Sequence, residues 1–371
     1  MSDNERKSTI EKKFLERRAC RCGIRRGLFW RMVDVIVWGW LHAGNVSCFC
    51  GIEQHVTLCC KCRCLPNSKI ALTSHAPRST FQAFPMSAYD FKPFKHNALV
   101  AAIAKPALRL RTRELEKLIF TATTGRSGTL TLTRLFAAVP GCVAVHEAPP
   151  IMNGAVLEAA NYGNAALMDR VYRQVKSINI LRASIGHRYY MEANHLFIKT
   201  FFQQATRDFG DRLTVIHLVR PAIEVATSIY RLRNYPGTEQ GNYWWLDYRA
   251  PSNLIQIADA LDFDAEFSHP FYKALWYWYE VESRISAWRA QMPSLKIVRF
   301  ETDWLNDAEK VFELFDALGV DYDRQIVATK VGIHEHDKEQ QKMGPALPSE
   351  QAQEMHSLYR KLLANRRLQF C

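Results

Sequence analysis

Cysteine is scarce in the last 258 residues of this 371-residue chain. Only Cys142 and Cys371 fall within residues 114–371, whereas the other eight cysteines lie between Cys20 and Cys64. Small extracellular domains that cannot build a sufficient apolar core depend on several disulfides. The scarcity therefore argues against a disulfide-built extracellular domain over residues 114–371 and favours a reducing, cytoplasmic setting.

Residues 114–371 also lack an excess of charge of one sign. They hold 29 Lys and Arg against 30 Asp and Glu, while residues 1–113 hold 20 against 7. The net charge of +12 is thus confined to the N-terminal third. Binding of nucleic acid requires a basic surface on the binding domain. We therefore expect no nucleic-acid partner for the larger part of the chain.

The longest candidate for a membrane-spanning segment, residues 35–52, only just reaches the required length. Residues 35–52 contain 18 residues without an acidic or basic side chain, but His42, Asn45 and Ser47 interrupt the run. A membrane-spanning helix needs about 20 predominantly apolar residues. The segment also lacks the small-residue cleavage site of a secretory signal peptide. A membrane anchor at residues 35–52 is therefore the less favoured alternative to a cytoplasmic protein.

The cysteines of the N-terminal third raise the question of a metal site. Cys59 and Cys62, for example, have the spacing of paired zinc ligands, but other pairs are separated by one residue, which fits poorly. We interpret residues 1–113 as a basic, poorly ordered leader and linker in which the cysteines are incidental. The main domain is then predicted to occupy residues 114–371.

Strand and helix patterns alternate along this main domain. Apolar, β-branched segments are followed by amphipathic helices, which is typical of a mainly parallel sheet buried on both faces. The pattern predicts a three-layer α/β fold with helices on both faces and a phosphate-binding turn. Ligands of such folds bind at the carboxyl ends of the strands. The predicted strands are 117–123, 142–147, 195–201, 213–219 and 295–300.

The segment "TTGRSGTLTL", residues 123–132, connects the end of the first predicted strand to the start of a predicted helix. Glycine allows the backbone N–H groups of such a turn to point at an anion, and the helix N-terminus adds positive potential. The Lys of the nucleotide-binding pattern G-x-x-x-x-G-K-[ST] is missing, and an arginine stands in the turn instead. The predicted anion-binding residues are Gly125, Arg126, Ser127, Gly128, Thr129 and Leu130.

A second basic element follows the fourth predicted strand. Arg220 ends that strand, and Ser228 lies eight residues later on the next predicted helix. Eight residues of helix carry Ser228 roughly 10 Å along the axis. The two side chains therefore reach one phosphate only if that group lies along the flank of the helix.

Together these elements resemble the sulfotransferase family, whose donor is 3′-phosphoadenosine 5′-phosphosulfate (PAPS). The family's 5′-phosphosulfate loop is similar to "TGRSGTLTL", and its 3′-phosphate motif has the spacing of Arg220 and Ser228. The segment "IVRFETDWLNDAEKVFELFDALGV" looks like its closing strand and helix. The resemblance covers roughly residues 117–330. It implies PAPS as co-substrate, no required metal, and a hydroxyl acceptor on a carbohydrate, a peptide tyrosine or a small molecule.

The resemblance also implies catalytic residues. The cytosolic branch has a His base two residues after a Lys, but Phe201 stands two residues after Lys199 here. The protein-tyrosine branch has a Glu base at a position similar to Glu147 in "HEAPP", 21 residues after Arg126. Glu147 is therefore the predicted base and His146 the alternative. Lys199 matches the family's strand Lys and is predicted to neutralise the leaving oxygen. Arg126 stands where the family's loop has Arg or Lys, and it is predicted to be catalytic as a fixed cation for phosphate or sulfate oxygens.

Two further lysines, Lys338 and Lys342 in "HEHDKEQQKMG", are predicted to close over the 3′-phosphate. Two other functions stay open. One is a nucleotide-dependent kinase, although the missing loop Lys removes the group that holds its terminal phosphates. The other is a non-catalytic nucleotide- or partner-binding protein that recruits partners through the Cys-rich leader.

Overall fold

A five-stranded sheet forms the centre of the computed structural model, which describes residues 98–333, 344 and 347–366. Its strands occur in the order β2-β3-β1-β4-β5, and each neighbouring pair is parallel. The predicted α/β fold with a parallel sheet is therefore confirmed. The strands are β1 Lys117–Ala122, β2 Cys142–His146, β3 Tyr189–Ala193, β4 Leu213–Val219 and β5 Lys296–Glu301.

Helices make up most of the remaining described chain. Before β3 lie α1 Ala98–Arg111, α2 Thr129–Ala137, α3 Ala155–Asn161, α4 Ala165–Val171, a π-helical turn Tyr172–Lys176 and α5 Ser177–Ala183. Between β3 and β5 lie a π-helical turn Phe197–Phe201, α6 Phe202–Phe209, α7 Ala222–Arg231, α8 Glu239–Trp244, α9 Ala258–Phe263 and α10 Pro270–Gln291. After β5 come α11 Ala308–Leu318, α12 Arg324–Ala328 and α13 Ser349–Asn365.

Helices cover both faces of the sheet. Successive strand residues point to opposite faces, so a strand buried along its whole length needs a helix layer on each side. Ile119 of β1 packs in one core with Leu135 of α2 and Phe315 of α11. On the opposite face, His217 of β4 lies 2.9 Å from the Glu282 carboxylate of α10. The structure thus has the three predicted layers.

Central and edge strands differ in burial in the way that a parallel sheet requires. Every residue of β4 is buried, as are all residues of β1 after Lys117. Both strands therefore read as nearly continuous apolar runs. The edge strands β2 and β5 keep partly exposed side chains.

The predicted strand over residues 195–201 is wrong. The strand lies earlier, at Tyr189–Ala193, and "FIKTF" forms the π-helical turn Phe197–Phe201. Rings four residues apart pack on one side, since both Phe197 and Phe201 contact the ring of Phe120. A short apolar run that is buried all round does not distinguish strand from helix by its periodicity. Lys199 therefore lies in the helical turn after β3 rather than at a strand end.

The strand order predicts a ligand-binding crevice beside β1. The chain leaves β1 for β2 on one side of the sheet and leaves β4 for β5 on the other, while β1 and β4 are neighbours. Ligands of open parallel sheets bind where the strand order reverses in this way. The segments that follow β1 and β4, with Gly125 and Arg220, therefore flank this crevice.

Part of the predicted leader and linker is helical. Helix α1 falls within the range 1–113, and Lys105 and Arg109 each bind the Asp208 carboxylate at 2.6 Å. The candidate anchor at residues 35–52 and the clustered cysteines lie outside the described residues. Among the helices that the structure does describe, none combines the length and the apolar character needed to cross a bilayer.

Candidate active site

The turn between β1 and α2 has the backbone of an anion-binding loop. Gly125, Arg126 and Gly128 all have left-handed backbone angles, with φ of 80°, 57° and 75°. A Cβ atom on Gly125 would lie 3.1 Å from Cγ of His195, and one on Gly128 only 2.6 Å from Cδ1 of Leu305. Both glycines are therefore required by conformation and by space. No side chain caps α2 at Gly128, so its first N–H groups are available to an anion.

The hydroxyl groups of the turn have different tasks. The buried Ser127 hydroxyl donates to the carbonyl of Gly125 at 2.9 Å, and Thr124 does the same at 2.9 Å. These two side chains stabilise the turn itself. Thr129 lies at the rim, where its Oγ1 shares a hydrogen bond of 2.9 Å with Nε2 of His146. Leu130, the last predicted member of the turn, is half-buried in the first turn of α2.

The structure brings Arg126 of the turn together with Arg220 and Ser228, the two residues of the predicted 3′-phosphate motif. Nε of Arg126 donates to Oγ of Ser228 at 2.9 Å. Nη1 of Arg220 donates to the carbonyl of Arg126 at 2.7 Å, and its Nε pairs with Glu224 at 2.9 Å. Trp278 of α10 supports this arrangement, because its indole N–H donates to the carbonyl of Arg220 at 2.8 Å. Two guanidinium groups and one hydroxyl thus flank α7 beside the turn.

Glu147 follows directly after β2 in a strained conformation. Its φ is 48°, which is uncommon for a residue other than glycine, and its N–H donates to the carbonyl of Ala193 at 3.0 Å. Burial raises the pKa of its carboxyl group, and nearby Lys199 partly opposes that rise. The Glu147 carboxylate faces His195, just after β3, whereas the His146 imidazole binds Thr129.

Behind Glu147 lies a buried ion pair that holds the surrounding loops. Nζ of Lys176 binds Oε1 of Glu192 at 2.5 Å and the carbonyl of Ala148 at 2.7 Å. The carboxylate of Glu192 also accepts from the hydroxyl of Tyr190 at 2.7 Å and the amide of Asn194 at 2.9 Å. Because Ala148 and Asn194 are neighbours of Glu147 and His195, this cluster fixes both segments of the site.

Lys199 is buried under the turn rather than exposed at a sheet edge. Its ammonium lies 2.8 Å from Nδ1 of His195 and 2.7 Å from the Tyr277 hydroxyl, which in turn donates to the carbonyl of Thr124 at 2.7 Å. The rings of Trp245 and Tyr277 lie 5.6 and 5.0 Å from Nζ. Burial lowers the pKa of Lys199 well below its usual range.

Sequence reasoning missed His195 and Tyr277. His195 lies between Lys199 and Glu147, with Nε2 3.4 Å from Oε1 of Glu147. His195 and Lys199 are four residues apart, a spacing that makes two side chains neighbours on a helix but not on a strand. The predicted strand over residues 195–201 therefore hid their contact. Tyr277 belongs to the aromatic helix α10, and no local pattern in the sequence separates it from the other buried rings there.

The remaining predicted residues lie elsewhere. Lys338 and Lys342 fall outside the described residues. Within the described ranges, no group of three or more His, Cys, Asp or Glu side chains is arranged to hold a metal ion. The residues that meet at this edge of the sheet are Arg126, Thr129, His146, Glu147, His195, Lys199, Arg220, Ser228 and Tyr277.

Two sulfotransferase domains are among the solved structures that are similar to this chain. The sulfotransferase domain from the curacin biosynthetic pathway is 14% identical, with a TM-score of 0.38 over 66% of this chain and 97% of that domain. The sulfotransferase domain of the Synechococcus PCC 7002 olefin synthase is 15% identical, with a TM-score of 0.39 over 66% and 94%. No protein-family model and no curated protein sequence matches the chain.

Proposed function

We propose that this domain transfers a sulfuryl group from PAPS to an acceptor hydroxyl. One observation carries the proposal. The anion-binding turn is joined to Arg220 and Ser228 on one side and to Lys199, through Tyr277 and Thr124, on the other. A donor with a 3′-phosphate and a 5′-phosphosulfate on one ribose matches these two cationic subsites, which share one turn.

The donor groups of the site fit such a molecule. N–H groups of the turn and the start of α2 would bind the 5′-phosphosulfate, as expected for a helix N-terminus that no side chain caps. Arg126, Arg220 and Ser228 would hold the 3′-phosphate, because guanidinium groups form forked hydrogen bonds with phosphate oxygens. Arg220 would then exchange its hydrogen bond with Glu224 for a hydrogen bond with the phosphate.

Glu147 would act as the base. Its raised pKa makes the carboxylate a better proton acceptor than an exposed glutamate, and its side chain is still partly accessible. It takes the proton that the acceptor hydroxyl loses as the acceptor oxygen bonds to sulfur. His146 is the alternative base, but in this structure its Nε2 binds Thr129.

Lys199 would stabilise the opposite end of the transfer. The bond between sulfur and the bridging oxygen breaks, and negative charge develops on the 5′-phosphate that leaves. A preorganised cation in a site with little water stabilises such charge more strongly than one in bulk solvent. Lys199 has one weak interaction to exchange for this contact, since the carbonyl of Trp244 lies 3.4 Å away.

Thermal unfolding with nucleotides tests the proposal. A ligand at 100 times its Kd stabilises a protein by about 2.7 kcal/mol. We expect adenosine 3′,5′-bisphosphate without magnesium to raise Tm by about 5 °C, given the usual shift per kcal/mol for a domain of this size. ATP with magnesium is expected to have little effect. Stabilisation by magnesium-ATP alone would instead support a kinase and contradict the proposal.

We propose a carbohydrate or peptide hydroxyl as the acceptor in preference to a small phenol, because the proposed base is a glutamate. A panel of such acceptors with labelled donor is the direct assay. Transfer to none of them by a protein that binds adenosine 3′,5′-bisphosphate would favour the non-catalytic alternative.

A further inference from the structure

His195 occupies the space between the two groups to which we assign proton transfer and charge stabilisation. Its Nδ1 lies 2.8 Å from Nζ of Lys199, and its Nε2 lies 3.4 Å from Oε1 of Glu147. The side chain is buried, with the residue only 5% exposed, and the Trp245 ring lies 5.2 Å from the imidazole. Gly125 covers its other side, since a Cβ atom there would touch the imidazole.

The neighbours of His195 define its protonation. An ammonium group has only donors, so Nδ1 must accept from Lys199 and the ring proton is assigned to Nε2, which faces Glu147. Burial lowers the pKa of His195 well below its usual range, and the charges of Lys199, His146 and Arg126 lower it further. The imidazole is therefore neutral at neutral pH.

Lys199 is held in place on its other sides as well. It donates to the Tyr277 hydroxyl at 2.7 Å and faces the carbonyl of Trp244 at 3.4 Å. The imidazole thus has a cation fixed at one nitrogen and a carboxylate at the other. The distance of 3.4 Å to Glu147 is long for a hydrogen bond, but such bonds often shorten when substrate completes a site.

We propose that His195 is a positioning residue that separates the Glu147 carboxylate from the Lys199 ammonium as a neutral spacer. This inference rests on the proposed function for the roles of the two groups. If the two charges met directly, the carboxyl pKa would fall by about 1–3 units, because an opposite charge at short range favours the ionised form. Glu147 would then be a weaker base, and Lys199 would be drawn away from the turn.

Other groups around Glu147 set the background for this effect. Burial contributes most to its raised pKa, Glu192 raises it further, and Lys199 and Lys176 lower it. Lys176 is bound to Glu192, whereas Lys199 contacts the imidazole itself and is placed to approach Glu147 when the imidazole is removed.

Direct titration of Glu147 tests the inference without any substrate. Carbon-13 NMR of protein labelled at the glutamate carboxyl carbons follows the Glu147 signal, which is identified by its loss in Glu147→Gln. We expect His195→Ala to lower the pKa of Glu147 by about 1–2 units, because Lys199 gains access to the carboxylate. In the same variant kcat should fall about 10- to 100-fold, as expected for misplaced catalytic groups, with donor KM little changed.

Two variants serve as controls. In His195→Asn the side-chain oxygen can accept from Lys199 in place of Nδ1, so the wild-type pKa of Glu147 should return along with part of the lost kcat. His187→Gln changes a histidine in the turn before β3, outside the site, and should leave both quantities unchanged.

Two results would overturn the inference. One is an unchanged Glu147 pKa in folded His195→Ala. The other is an equal loss of kcat in the Ala and Asn variants, which would indicate a purely structural role. If His195→Ala does not fold, the pKa of Glu147 in His195→Asn decides, and a value below wild type contradicts the spacer. Failure of the sulfotransferase proposal itself would appear separately, in the nucleotide thermal-shift experiment.

Discussion

At the scale of single residues, the site depends on side chains whose charge states are set by burial. The pKa of Glu147 is raised and the pKa of Lys199 is lowered, and burial is the largest cause of both shifts. Burial favours the neutral form of each group, and for Lys199 the nearby Glu147 carboxylate acts in the opposite direction and favours the charged form. The raised pKa of Glu147 is the shift that a base near neutral pH requires, and the charge of Lys199 is supported by the Glu147 carboxylate.

Replacement of Glu147 by Gln tests the base. The amide keeps the shape of the side chain but accepts no proton, so transfer should fall by about 100- to 10,000-fold, the usual contribution of a general base. Binding of adenosine 3′,5′-bisphosphate, followed by calorimetry, should stay close to wild type. Glu158→Gln on α3 is the matched control, because Glu158 is an exposed acid and its loss should leave turnover unchanged. Undiminished turnover in Glu147→Gln would remove Glu147 from this role.

At the scale of elements, α7 and the turn after β1 act together. Ser228 lies on α7 and receives a hydrogen bond from Arg126 of the turn, while Arg220, just before α7, donates to the carbonyl of Arg126. The sequence predicted both elements, and Arg220 and Ser228 are close in the chain. Their contact with Arg126, about 100 positions away, follows only from the adjacency of β1 and β4 in the sheet.

Loss of the Arg220 guanidinium should reveal which phosphate this pair of elements binds. A hydrogen bond to a charged group contributes about 1.5–3 kcal/mol. We expect Arg220→Ala to weaken adenosine 3′,5′-bisphosphate about 10- to 100-fold by calorimetry, with a much smaller effect on adenosine 5′-phosphate. In the companion variant Glu224→Ala the arginine is kept and its ion pair removed, so affinity should be equal or higher. Equal weakening of both nucleotides by Arg220→Ala would indicate damage to the turn rather than loss of a 3′-phosphate contact.

At the scale of the whole molecule, the buried pair of Lys176 and Glu192 joins the segment before β3, β3 itself and the loop after β2. Both side chains are fully buried, and burial lowers the pKa of Lys176 while Glu192 raises it. A buried pair of this kind is not by itself a source of stability, but loss of one partner leaves an uncompensated charge in the interior.

Urea unfolding of Lys176→Met should therefore show a large loss of stability, about 3–5 kcal/mol. The double variant Lys176→Met with Glu192→Leu removes both charges and should recover much of that loss. A single variant within about 1 kcal/mol of wild type, the effect typical of an exposed pair, would contradict this account. A double variant as unstable as the single one would also contradict it, because the unpaired charge would not be the cause.

The sequence by itself determined the parallel α/β sheet, the glycine turn after β1 and the spacing of Arg220 and Ser228. These features are local, since apolar strand runs and the placing of glycine depend on a few neighbouring residues. Only the tertiary structure decided that residues 197–201 are helical, because an apolar segment that is buried all round suits either form. The same burial brought His195 and Tyr277 against Lys199 and shifted the pKa values of Glu147 and Lys199. Desolvation depends on what the whole chain packs around a group, so spacing along the sequence does not carry it.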